Sequence, residues 1–169
     1  MTDTAAEPLV LQLPDLFGGP MEVHNLVSDF TGTISVKGKL LPGVAGRIMR
    51  LADRGVKIYY MTADTHGTVR EALHGLPLEI IKVEVGDDKP KRIKERGFDV
   101  NHTVVMGNGR NDMAMFRWAH FGIAVMEGEG VSGGLLGICI QSEWPVVKSA
   151  CNALDLLLYP PCAQATDRD

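Results

Sequence analysis

Four short apolar runs, "NLVSD" at 25–29, "KIYYMT" at 57–62, "TVVMG" at 103–107 and "GIAVM" at 122–126, are separated by stretches with helical spacing. The runs place apolar and β-branched residues at consecutive positions, the pattern of strands buried on both faces. Between them, Val44, Ile48, Met49 and Leu51 suggest a helix that stops at Gly55, and further helices are expected near 66–74, over 88–96 before Gly97, and near 111–119. A strand near 79–85 completes the alternation. Alternation of this kind builds βαβ units, so the chain is predicted to be α/β, with a doubly wound, mostly parallel sheet.

The flanking segments are less regular. Residues 9–13 and 21–27, parted by "PDLFGGP", are expected to pair as an N-terminal β-hairpin whose second strand runs on to Asp29. "VKGKLLPG" at 36–43 reads as a short flap. After the fourth run come a Gly-rich stretch, "EGEGVSGG" at 127–134, read as a flexible loop, then a short strand near 136–140 and a last helix near 145–158. No segment is left for a second domain, so 1–169 reads as one domain with a flexible tail over about 160–169.

Composition narrows the function by exclusion. Seventeen Lys plus Arg against 21 Asp plus Glu give a net charge of −4, which advertises neither nucleic acid nor an anionic membrane as partner. Cys139, Cys151 and Cys162 are an odd set without a C-x-x-C pair, suiting reduced thiols in a cytoplasmic protein. Signal-peptide features and membrane-length apolar runs are absent from the sequence, so a cytoplasmic location without membrane insertion is expected. His24, His66, His74, His102 and His120 lack the spacing of a transition-metal site, and Trp118 and Trp144 read as packing residues.

Ligands of a doubly wound sheet bind beyond the carboxyl ends of its strands. Three of the runs end there in polar groups, at Asp29, Thr62 and Gly107-Asn108, and Lys89 opens the helix leading to the third. Singly, Asp29 and Asn108 could cap turns, Thr62 a helix, and Lys89 could belong to a solvated face with Lys91, Arg92 and Lys94. Together they suit phosphoryl transfer to a carboxylate. That reaction needs a cation between nucleophile and phosphate, a lysine against developing charge, and donors on the phosphoryl oxygens.

The motifs "DFTGTI" at 29–34, "TAD" at 62–64, "DDK" at 87–89 and "GNGRND" at 107–112 resemble, in order, those of the haloacid dehalogenase superfamily. Within it they are most similar to the phosphorylation domains of P-type ATPases and their membrane-free relatives. The resemblance implies a Rossmann-like core and Asp29 as the nucleophile that becomes an aspartyl phosphate. It implies Mg²⁺ held by Asp29, the Thr31 carbonyl, Asn108 and Asp112. Phosphate would be bound by Thr62, by backbone N–H groups of Gly32 and Ala63, and by Lys89, which also neutralises charge. Two departures stand out: Phe30 replaces a lysine, and Asn108 stands where a metal-binding aspartate is usual, which implies weaker magnesium binding.

Phosphatases of the superfamily usually carry an acid/base aspartate two residues after the nucleophile, and here that position is Thr31. Loss of such a group removes roughly 10² to 10⁴ in rate, so a slow Mg-dependent phosphohydrolase is expected, faster on good leaving groups. The alternative is a phosphorylatable or non-catalytic regulatory or binding module without significant turnover. A receiver-like switch would want an earlier acidic pair, where "LQLPD" offers only Asp15. Only about 28 residues separate Thr33 from Thr62 and 26 separate Thr62 from Lys89, too few for a cap domain. A capless chain of this kind is expected to act on a small phosphorylated substrate, and as a homo-oligomer with the flap or the 127–134 loop at an interface.

Overall fold

The computed structural model describes residues 7–11, 20–63, 67–84 and 88–159. Its centre is a sheet of six parallel strands. These are β3 (Asn25–Asp29), β6 (Lys57–Thr62), β7 (Glu79–Lys82), β8 (Thr103–Gly107), β9 (Phe121–Val125) and β10 (Val146–Val147). Their order across the sheet is β10-β9-β8-β3-β6-β7. The helices are α1 (Val44–Asp53), α2 (Thr68–Ala72), α3 (Lys89–Glu95), α4 (Met113–Trp118), α5 (Gly133–Ser142) and α6 (Ala150–Leu158).

The consecutive apolar runs become strands because both of their faces are covered. Leu26 on β3, Tyr60 on β6, Val104 and Met106 on β8 and Ile123 on β9 face one core layer, shared with Val44, Ile48 and Leu51 of α1 and Leu154 and Leu157 of α6. Their alternates Val27, Met61, Val105 and Ala124 face the other, with Ile93 of α3, Met115 and Phe116 of α4 and Leu135 and Cys139 of α5. The chain therefore winds outward from β3 through β6 to β7, returns through α3 to β8 on the other side of β3, and continues outward. The reversal lies between β3 and β8, which is where such sheets open a crevice at their carboxyl ends.

The N-terminal hairpin is present but shorter than expected. The strands β1 (Val10–Leu11) and β2 (Met21–Glu22) pair antiparallel, and the chain then leaves that pair before Asn25 joins the central sheet. Residues 21–27 thus serve two sheets rather than forming one strand, because Leu11 and Met21 cover the α1 layer while Leu26 and Val27 are needed inside the parallel sheet. The flap is a hairpin of β4 (Ser35–Val36) and β5 (Lys39–Leu40). Its two-residue tip, Lys37-Gly38, has positive φ at both positions (51° and 75°), as tight hairpins of matching twist require.

The carboxyl-terminal third corrects the sequence reading. Residues 136–140 lie inside α5 and are not a strand. "LLGICI" is apolar on all sides, so its periodicity could not separate the two states; what decides is that Leu135 and Cys139, four apart, face the core while Leu136 and Ile140 stay exposed. Ser132 caps this helix by accepting the Leu135 N–H at 3.4 Å. The last strand is instead β10, and the last helix starts only at Ala150, after Ser149 accepts the Asn152 N–H at 3.2 Å. Residues 12–19 and 160–169, with Asp15, Cys162 and the expected tail, lie outside the described residues.

Candidate active site

Asp29 ends β3 at the middle of the sheet, flanked by β6 and β8. Lys89, the first residue of α3, reaches it: Nζ donates to Asp29 Oδ1 at 2.9 Å and to Asp112 Oδ1 at 2.5 Å. Lys89 is 2% exposed and Asp112 1%, whereas Lys91, Arg92 and Lys94 are exposed. A buried ammonium persists only when paired, and this one lies between two carboxylates. Burial opposes its charge, but the attraction and hydrogen bonds of Asp112 and Asp29 outweigh it and raise the Lys89 pKa above its ordinary value.

Asp112 is fixed on its other side as well. Its Oδ2 accepts the Asn108 N–H at 2.9 Å and the Gly109 N–H at 3.0 Å, which folds "GNGRND" back upon itself. Gly107 makes room for this turn: a Cβ there would lie 2.5 Å from the Asp112 carboxylate. The cluster holds one ammonium against two carboxylates. Burial first, and the Asp112 charge second, push the Asp29 carboxyl up to about 6, with Lys89 working the other way.

Asn108 joins two loops. Its Oδ1 accepts the Thr33 hydroxyl at 3.2 Å and its Nδ2 donates to the Gly130 carbonyl at 3.2 Å. Gly32 lies against that amide with φ +73°, and a Cβ would stand 2.7 Å from Asn108 Nδ2. The Gly32 N–H donates to the Ser35 carbonyl at 3.0 Å, so this amide, expected on a phosphate, is engaged within its own turn. What the site takes from Gly32 is its missing side chain. Phe30 is 1% exposed and packs into the α1 layer, where a lysine would bury an unpaired charge.

These groups line one open cleft of about 520 Å³, with Thr31, Thr62 and Ala63 on its wall beside Gly38 of the flap and Thr68 of α2. All the sequence-expected site residues except Gly32 and the buried Lys89 therefore face one space, with Lys89 just behind Asp29. Thr33, Asn111 and Glu129 belong to the same neighbourhood and were not singled out by sequence. Thr33 had a signal, lying inside the quoted "DFTGTI", but Glu129 sits 100 residues from Asp29 and only folding brings it there. His24 and His102 stack 4.2 Å apart near the amino ends of β3 and β8, away from the cleft, and His66, Asp64 and Asp87 lie outside the described residues.

The donor chemistry suits a hard cation. Asp29, Asp112, the Asn108 amide and the Thr31 carbonyl offer oxygen only, and the paired lysine leaves the two carboxylates with excess negative charge. Among the described residues there is no group of three His, Cys, Asp or Glu side chains able to hold a metal. Among those residues an all-protein cage is thus lacking. Magnesium tolerates this, since it keeps several waters and takes one or two carboxylates.

Residues 91–130 match the model of the haloacid dehalogenase-like hydrolases. Over 108 residues the chain is 30% identical to a cadmium/zinc-transporting ATPase, HMA2, of Arabidopsis thaliana, covering 62% of this chain and 11% of that transporter. Among solved structures, 3-deoxy-D-manno-octulosonate 8-phosphate phosphatase of Moraxella catarrhalis, in complex with magnesium, phosphate and KDO, superposes with a TM-score of 0.66 at 17% identity over 80% of this chain and 86% of that one. The cobalt-bound enzyme of Haemophilus influenzae gives 0.62 at 13% identity over 80% and 87%. The structural likenesses establish the shared fold. No helix among the described residues is long and apolar enough to cross a membrane.

Proposed function

We propose that this chain, a domain of the haloacid dehalogenase hydrolase type, is a phosphohydrolase that moves a phosphoryl group from a small phosphorylated substrate to Asp29 and then to water. The observation that carries the reading is the Asp29–Lys89–Asp112 cluster, set at the reversal point of the sheet beneath an open cleft. The phosphatase neighbours and the matched family support it.

Asp29 Oδ attacks phosphorus as the bond to the leaving oxygen breaks. Lys89 keeps Asp29 oriented and spreads positive charge towards the phosphate, while Asp112 holds Lys89 in place. The Thr62 hydroxyl and Ala63 N–H, at the end of β6, take phosphoryl oxygens. Asp29, the Thr31 carbonyl, Asn108 and Asp112 would hold Mg²⁺, whose charge would lower the repulsion between an anionic carboxylate and an anionic phosphate. The Thr31 hydroxyl is too weak an acid and too weak a base to assist proton transfer near neutral pH. Turnover is accordingly slow compared with a site holding an aspartate there, and faster on p-nitrophenyl phosphate than on alkyl esters.

Each interval between the four motifs holds one helix, one strand and, in the first, the flap, so no cap covers the cleft among the described residues. We extend the proposal to a homo-oligomer in which a second copy covers it, and to a cytoplasmic setting in keeping with the free thiols of Cys139 and Cys151. The test is a phosphoprotein trap with acetyl phosphate and magnesium, wild type against Asp29→Asn, beside a phosphatase panel. Asp29-dependent label with turnover is the expected result. Label without turnover would replace the hydrolase by a phospho-switch, and no label would remove both. Thr31→Asp should raise hydrolysis of poor leaving groups by 10-fold or more, within the range ~10² to 10⁴ open to acid–base assistance.

A further inference from the structure

One carboxylate in the cleft has no task in the reaction so far. Glu129 lines it together with Asp29, Thr31 and Asn108. Its Oε2 lies 2.9 Å from the position a Cβ on Gly32 would occupy, immediately after Thr31. Its side chain makes no hydrogen bond or ion pair among the described residues. Glu129 is exposed, so its carboxylate stands solvated at the wall of the cleft.

The loop that carries it is anchored. The Met126 N–H donates to the Val147 carbonyl at 2.9 Å, the Gly130 N–H to the Glu127 carbonyl at 3.1 Å, and the Ser132 N–H to the Asn108 carbonyl at 2.9 Å. Asn108 Nδ2 holds the Gly130 carbonyl, and the Glu127 carboxylate accepts the Ala150 N–H at 3.4 Å. Gly128 and Gly130 supply the positive φ values, 39° and 76°, that the path needs. What reads in sequence as a flexible glycine-rich stretch is a shaped loop presenting one carboxylate to the site.

Departure of an alkoxide requires a proton, and attack of water on an acyl phosphate requires removal of one. Among the described residues the other ionisable groups at the centre of the cleft are committed: Asp29 to the phosphorus, Asp112 to Lys89 and two backbone amides, Lys89 to both carboxylates. We propose that Glu129 is the general acid and base of the hydrolysis, an assignment that rests on the phosphohydrolase reading. In the first half, the Asp29 oxygen–phosphorus bond forms, the phosphorus–leaving-oxygen bond breaks, and protonated Glu129 gives its proton to the departing oxygen. In the second, the Glu129 carboxylate takes a proton from water as the water oxygen bonds to phosphorus and the Asp29–phosphorus bond breaks. Inorganic phosphate leaves, Asp29 is free, and Glu129 is again an acid. Carried by a separate loop rather than by the nucleophile's own turn, it is a less closely aimed acid than an aspartate at 31, in keeping with slow turnover.

The test compares wild type and Glu129→Gln on p-nitrophenyl phosphate and phenyl phosphate, with acid-quenched phosphoenzyme levels and magnesium affinity by calorimetry. The expected kcat/KM falls by about 100-fold on phenyl phosphate but by less than about 5-fold on p-nitrophenyl phosphate, whose leaving group needs little protonation. Phosphoenzyme accumulates in the variant, and adding Thr31→Asp to it restores the phenyl ester. Magnesium affinity stays within about 2-fold, because the assignment gives Glu129 the proton and leaves the cation to Asp29, Thr31, Asn108 and Asp112. Equal losses on both esters, no loss on either, or a 10-fold weaker magnesium affinity would overturn the assignment while leaving the Asp29 phosphoenzyme standing. A wild type without Asp29-dependent phosphoenzyme would instead remove the parent reading and the assignment together.

Discussion

Asn108 shows how one residue can answer to two demands. As a metal ligand, an amide oxygen is weaker than a carboxylate, which sequence alone makes plain. Folded, the same side chain uses its Nδ2 to hold the Gly130 carbonyl, a contact that an aspartate would turn into repulsion between two acceptors. The Asn108→Asp variant is therefore expected to bind Mg²⁺ several-fold more tightly by calorimetry. It is also expected to lose roughly 0.5–1.5 kcal/mol of stability in urea unfolding, measured without metal, as the 127–134 loop loses its tie. Tighter metal binding with unchanged stability would show that Gly130 needs no donor. Lys89 is the complementary case: its neighbours in sequence are solvated cations, and only the approach of α3 to β3 sets it apart from them.

Between elements, the clearest polar link outside the site joins α1 to α6. Arg47 Nε donates to Asp155 Oδ1 at 2.7 Å and Nη2 to Oδ2 at 2.9 Å, above the layer in which Ile48 packs near Leu154. The Arg47 hydrogen bonds hold the Asp155 carboxyl below its ordinary 3.8. A carboxyl lowered by folding adds stability above the unfolded value near pH 4, and that contribution disappears as pH falls through the folded value. About a third of the Asp155 side chain is exposed (34%), so solvent screening keeps the contribution small. Asp155→Asn is expected to lower stability by ~0.5–1 kcal/mol at pH 7, by progressively less as pH falls below about 4, and less at high salt, in urea unfolding followed by circular dichroism. A loss that persists undiminished at pH 2.5 would assign the effect to packing. The same scale holds the sequence reading's error: α5, apolar all round, has no stripe to betray it, whereas the amphipathic α1, with Val44, Ile48 and Leu51 inward, was legible at once.

For the whole molecule, a ligand that binds only the folded state raises its stability. The two carboxylates that would share Mg²⁺ come from β3 and from the turn after β8, so no short unfolded segment can offer them together. Magnesium at about 100 times its dissociation constant should stabilise the protein by ~2.7 kcal/mol, a Tm rise of roughly 5–10 °C for a chain of this size. Asp112→Asn should abolish the rise. An equal rise in that variant would place the ion elsewhere.

The sequence by itself determined the alternation of strand and helix, the polar residues at the strand ends and the departures at Phe30, Thr31 and Asn108, because each is a local property: period, turn chemistry and motif spacing within a few residues. It could not settle the state of "LLGICI", since an apolar segment reads alike as helix or strand until its neighbours define an inside. Nor could it place Glu129 in the cleft or show that the Gly32 N–H is engaged by the Ser35 carbonyl. The first depends on which loops lie against one another across 75 to 100 residues of chain, a matter settled by sheet order and close packing. The ordering of strands around β3 turns four separated motifs into one cleft, and only the folded structure shows a carboxylate waiting beside it.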